Sequence, residues 1–63
     1  MKTLKKCRAE FLEAGDCLIL NHERWEVRQI EDEQYGREVR LRNHFGESKI
    51  KFLSFGEIVS IEL

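Results

Sequence analysis

Cys7, Cys17, His22 and His44 are the side chains of this 63-residue chain that a zinc ion would choose, thiolate sulfur and imidazole nitrogen being its favoured ligands. Their spacing argues against a site. The chain has no Cys-x-x-Cys knuckle, and only Cys17 and His22 lie close together. No metal and no other cofactor is expected. Nucleophilic chemistry is no better served. Ser48, Ser54 and Ser60 are scattered, and neither histidine has a carboxylate partner at triad spacing. Asp16, after Gly15, suits a turn better than acid catalysis, since its side chain can bond the backbone ahead. These residues argue against an enzyme.

The stretch RLRNHFGESKIKF carries a different chemistry. Period-two alternation puts Val39 and Leu41 on one face of a strand, with Glu38, Arg40 and Arg42 on the other. The same rule applied to the return strand turns Ile50 and Phe52 inward and Lys49 and Lys51 outward. Arg40 then faces Lys51, and Arg42 faces Lys49. Like charges directly opposite on a sheet are destabilising, so a surface that keeps them has reason to meet an anion. On this reading Arg37, Arg40, Arg42, Lys49 and Lys51 track a nucleic-acid phosphate backbone, while His44 and Phe45 at the tip stack on bases. The plainer reading is an edge guarded by cations against aggregation, partly neutralised by Glu38 and Glu47.

A second partner class rests on apolar residues that a small core cannot hold. Phe11, Ile19, Tyr35 and Phe55 exceed its capacity, together with Phe45 and Leu63. Exposed in a cluster, they would mark a surface for a protein partner or a homodimer. The alternative is that Phe11 and Phe55 plug the two ends of the fold.

The elements that must position these groups are strands. Cys17-Leu18-Ile19-Leu20 is short, branched and apolar, and Trp25-Glu26-Val27-Arg28 alternates. Pairing Leu20 with Trp25 and Leu18 with Val27 makes a hairpin with a four-residue loop at 21–24 and these four side chains inward. Ile30 has the wrong parity relative to Val27, which a bulge near Gln29 repairs. Glu31-Asp32-Glu33 and Tyr35-Gly36 turn the chain into residues 37–42, with Gly36 available for a positive φ. After Asn43-His44-Phe45-Gly46 the chain returns. Leu53-Ser54-Phe55-Gly56 then leads as a 3₁₀-like connection into a closing strand over residues 58–63. At the N-terminus residues 4–8 form a strand, or residues 2–14 a short helix favoured by Lys, Leu, Ala and Glu. The expected fold is all-β: one domain over residues 1–63, a small SH3-like barrel of about five antiparallel strands with a short N-terminal strand or helical turn.

FLEAGDCLILNHERWEVRQI, then a glycine-bearing turn, then REVRLRN, another turn and KIKF, resembles an SH3-like barrel, and within that group the KOW-like N-terminal domain of elongation factor P. The likeness spans residues 11–52. It implies the fold. In that family the loop after the second long strand carries a modified lysine that reaches the ribosomal peptidyl site. The corresponding EDEQYGR has no lysine, so that role is not carried over.

Composition sets the remaining limits. Eleven Lys and Arg against twelve Asp and Glu leave a net charge of −1, so any affinity for nucleic acid must come from distribution rather than total. MKTLKKCRAEF has basic residues with no apolar run behind them, unlike a signal peptide, and no segment reaches membrane-spanning length. A cytoplasmic binding module with reduced Cys7 and Cys17 is the expectation, with nucleic acid or protein as partner and no membrane.

Overall fold

The computed structural model describes residues 3–63. Its elements in chain order are β1 (Leu4–Arg8), a 3₁₀ turn (Ala9–Phe11), β2 (Cys17–Leu20), β3 (Glu23–Asp32), β4 (Gly36–Arg42), β5 (Ser48–Ser54) and β6 (Ile58–Glu62). The all-β expectation holds. Residues 4–8 are a strand, and of the alternative helix over 2–14 only the 3₁₀ turn exists among the described residues; Lys2 lies outside them. No helix among the described residues is long and apolar enough to cross a membrane.

The strands form one antiparallel sheet in the order β1-β6-β2-β3-β4-β5. β1 and β5 are its edges and do not pair with each other, so the sheet is open and does not close into the expected barrel. It curls instead. Leu18, Trp25, Val27, Val39, Leu41, Leu53, Val59 and Ile61 converge from β2 to β6 on one buried cluster, and Ala9 and Leu12 join it from the N-terminal connection. One sheet can enclose a core this way because its twist brings distant strands over one another.

The β2–β3 hairpin keeps the expected faces but not the expected loop. Leu18 pairs with Trp25 and Leu20 with Glu23, leaving a two-residue turn. Asn21 and His22 both have positive φ, 50° and 67°, as a type I′ turn requires. The register has slipped by two residues, and a slip of two preserves which side chains point inward. The bulge lies where parity demanded it, with the register shift between Val27 and Gln29, so Arg28 is the extra residue and Ile30 returns to pair with Val39.

The β4–β5 hairpin departs from expectation, and the departure bears on function. Val39 pairs with Lys51, Leu41 with Lys49, Arg40 with Ile50 and Arg42 with Ser48. Ile50 and Phe52 therefore face outward, 57% and 48% exposed, while Leu53 is fully buried. The turn dictates this. The Asn43 amide donates to the Glu47 carbonyl at 3.0 Å, leaving His44-Phe45-Gly46 as a three-residue loop with Gly46 at φ 84°. A loop of that length, closed by a left-handed residue, sets odd-numbered residues of β5 on the same face as Leu41. The Asn43 side chain secures it, its Oδ1 accepting from the Phe45 and Glu47 amides at 3.0 and 2.9 Å.

The connections gather at two ends. One holds the 3₁₀ turn, the β3–β4 loop and the β5–β6 turn, where β5 runs to Ser54 and Phe55-Gly56 turns the chain with Gly56 at φ 86°. Gly36 is needed there for space, its φ not being positive. A Cβ on it would strike the Leu53 carbonyl oxygen and come within 2.6 Å of the Phe52 ring. Phe11 and Phe55 do not plug this end; both are exposed, and Leu12 and Leu53 fill it.

Candidate anion-binding groove

The expected line of five outward cations does not form. With β5 in its observed phase, Arg40 and Arg42 stand on the outer face, whereas Arg37, Lys49 and Lys51 share the core face with Val39 and Leu41. The like-charge pairs Arg40–Lys51 and Arg42–Lys49 do not form, so cross-strand repulsion gives no reason for an anion here.

Arg37 is a structural residue in this arrangement. Its Nη1 donates to the carbonyls of Ala9 and Leu12 at 2.9 and 2.7 Å, and its Nε to Asp32 Oδ1 at 2.6 Å. A planar guanidinium with several fixed donors suits such a tie. Lys51 is half-buried opposite Val39. Lys49 stands 4.3 Å from the centre of the Trp25 ring, a cation–π contact at the open end of the core.

The outer face also carries Arg28, which the alternation of Trp25-Glu26-Val27-Arg28 turns outward. Arg28, at the bulge, joins Arg40, Arg42, Ser48, Lys49 and Ile50 around a groove of about 550 Å³. Among the described residues no carboxylate lines this groove. A neighbouring groove of about 720 Å³ shares Arg28 and Arg42 and runs to His22, His44 and Phe45. It is mixed in charge, since Glu23 and Glu26 line it too.

Charge pairing separates these arginines. Arg28 bonds Glu26 at 3.0 Å, and Arg24 bonds Glu62 at 3.2 Å. Among the described residues no acid lies at ion-pair distance from Arg40 or Arg42. Glu47, a candidate shield, is held in its own turn by Asn43 Nδ2 at 2.7 Å. Glu38, the other, lies opposite Phe52 towards the far end of the sheet. At the near end the His44 and Phe45 rings lie with centroids 4.0 Å apart, tilted by 37°. The structure thus brings Arg40, Arg42, His44 and Phe45 to one side, with Lys49 at the rim, and leaves Arg37 and Lys51 out. Sequence reasoning missed Arg28 as a site residue, although the alternation of Trp25-Glu26-Val27-Arg28 already turned it outward.

The remaining candidates lie elsewhere. Tyr35 and Phe55 meet at the far end, where the Phe55 amide donates to the Tyr35 carbonyl at 3.1 Å. Phe11 is exposed at that same end, while Ile19 is half-buried on the outer face between Arg24 and Ser60. Cys7 faces the core opposite Val59 and Cys17 the outer face beside Glu26, so no disulfide joins them. Among the described residues no three His, Cys, Asp or Glu side chains gather as metal ligands. No protein family model, no curated protein and no solved structure matches the chain.

Proposed function

We propose that the chain is a non-enzymatic binding module that grips the phosphates of a single-stranded nucleic acid through Arg28, Arg40 and Arg42. The carrying observation is the groove these arginines share, which no carboxylate lines among the described residues, and the guanidiniums of Arg40 and Arg42, which have no acid partner among them. Guanidinium forks match phosphate oxygens bidentately, and Ser48 adds a neutral donor beside them. The exposed, tilted His44–Phe45 ring pair extends the site with π-faces on which bases can lie. From the resemblance to the elongation factor P domain we keep only the use of a small curled antiparallel sheet for binding. Cysteines without a disulfide suit a reducing compartment such as the cytoplasm.

Anisotropy of a fluorescein-labelled oligouridylate tests the reading. Binding is expected at low salt and should weaken as salt rises. Each of Arg40→Ala and Arg42→Ala should lower the slope of log affinity against log salt by about 1. Lys51→Ala, outside the groove, should leave the slope unchanged. No binding at low salt, or full binding by the double arginine variant, would refute the proposal.

A second reading, protein interaction, is favoured by one observation: Ile50 and Phe52 lie outward on the strand at the sheet's edge, with Tyr35 and Phe55 exposed beyond them.

A further inference from the structure

We infer that the free edge of β5 accepts an extended acidic strand from a partner protein, in antiparallel or parallel register, as a seventh strand of the sheet. The inference gives a mode and a partner chemistry to the protein-interaction reading; β5 also lends Ser48, Lys49 and Ile50 to the phosphate groove, but the inference rests on other observations. Among the described residues β5 pairs with β4 alone, so its other side presents backbone donors and acceptors that no strand among them takes up. Such an edge is a template for one more strand. The Ser54 amide is already taken by Glu57 Oε1 at 3.2 Å, which ends the usable edge at about residue 53.

The two faces of that edge differ in chemistry. Lys49 and Lys51 lie on one face, and neither has an ion-pair partner among the described residues. Ile50 and Phe52 lie on the other, exposed in mid-strand, and their strip continues to Phe55 and Tyr35. Lysines alone would be ordinary protection of an edge. They leave unexplained why the outward face between them is apolar. A partner strand that alternates acidic and apolar residues answers both faces at once, since cross-strand neighbours pair on each side.

A second copy of the chain fits less well. The opposite edge, β1, carries Lys5, Lys6 and Arg8, so edge-to-edge stacking of copies sets cations against cations. The charges that oppose self-association select an acidic strand. β1 itself lacks the apolar stripe: Lys6 and Arg8 share its outer face with Leu4.

The probes are two fluorescein-labelled peptides of equal length, one alternating Glu and Val, the other Lys and Val. Anisotropy should show binding of the Glu-Val peptide only, and hydrogen exchange should slow at the β5 amides. Lys51→Glu, which leaves the Lys49–Trp25 contact in place, should weaken binding several-fold. Adding Lys49→Glu should weaken it by about tenfold or more and favour the Lys-Val peptide. Equal affinity for both peptides, no binding of either, binding without protection of β5, or dimerisation of the chain alone through this edge would each overturn the inference. The oligouridylate assay on Lys51→Glu separates the two readings. Its nucleic-acid affinity should fall far less than its peptide affinity.

Discussion

Arg37 Nη1 donates to the carbonyl of Leu12 at 2.7 Å, joining residues 25 positions apart. The bond fixes a segment with no strand of its own. Leu12 is buried at the end of the core, and the same nitrogen also holds Ala9 at 2.9 Å. An edge-opened sheet needs such a tie, because no strand pairing closes that end. Arg37→Ala should therefore lower stability by roughly 2–3 kcal/mol, the range for charge-assisted hydrogen bonds lost from half-buried acceptors. Urea unfolding followed by Trp25 fluorescence measures it. An effect below a few tenths of a kcal/mol would mean that water replaces the guanidinium without loss.

Glu10 makes the companion tie across the same end. The Gly56 amide donates to its Oε1 at 2.8 Å and the Arg8 guanidinium pairs with its Oε2 at 2.8 Å. The Gly56 hydrogen bond, with Arg8 as a lesser cause, holds the Glu10 carboxyl below its ordinary pKa. A carboxylate with a lowered folded pKa stabilises fully above its unfolded pKa, and that contribution fades as pH falls through the folded value. Thermal melts of the wild type and Glu10→Gln should thus differ at neutral pH and converge in acid, below the usual carboxylate range. A difference independent of pH would show that ionisation is not involved.

The type I′ turn offers a stabilising substitution. His22 sits at φ 67°, a conformation costly to a residue with a Cβ and free to glycine. His22→Gly should add about 0.5–1 kcal/mol of stability. Because His22 also lines the mixed groove, the variant should be assayed with oligouridylate, where affinity should change little beside that of Arg42→Ala. A loss of stability would show that His22 makes a contribution that outweighs its backbone strain.

Gly36 is a steric requirement. Gly36→Ala should cost about 2–3 kcal/mol, as overpacking does. Removing the Phe52 ring should rescue only part of this, since the Leu53 carbonyl would still be struck. Comparing Gly36→Ala with Gly36→Ala/Phe52→Ala by chemical denaturation checks the point, and a full rescue would place the whole clash on the ring.

How far the sequence could be read depends on whether a signal was local. Alternation in CLIL, WEV and EVRLR placed Leu18, Trp25, Val27, Val39 and Leu41 inside, and the parity break before Ile30 located the bulge. These hold because each strand is packed on one face, and burial enforces the period. The error in β2–β3 was harmless, since a two-residue slip keeps every face. SKIKFLS was different. Its local pattern turns Ile50 and Phe52 inward, yet they face solvent and Leu53 takes the buried place.

The sequence by itself determined the strand class, the hairpin order and the interior of β2 to β4, because backbone period and side-chain polarity agree there. Only the tertiary structure decided the phase of β5, the open edges and the company Arg28, Arg40 and Arg42 keep. A three-residue loop ending in left-handed Gly46 outweighed two apolar side chains, since turn geometry sets register before an edge strand has a second neighbour to correct it.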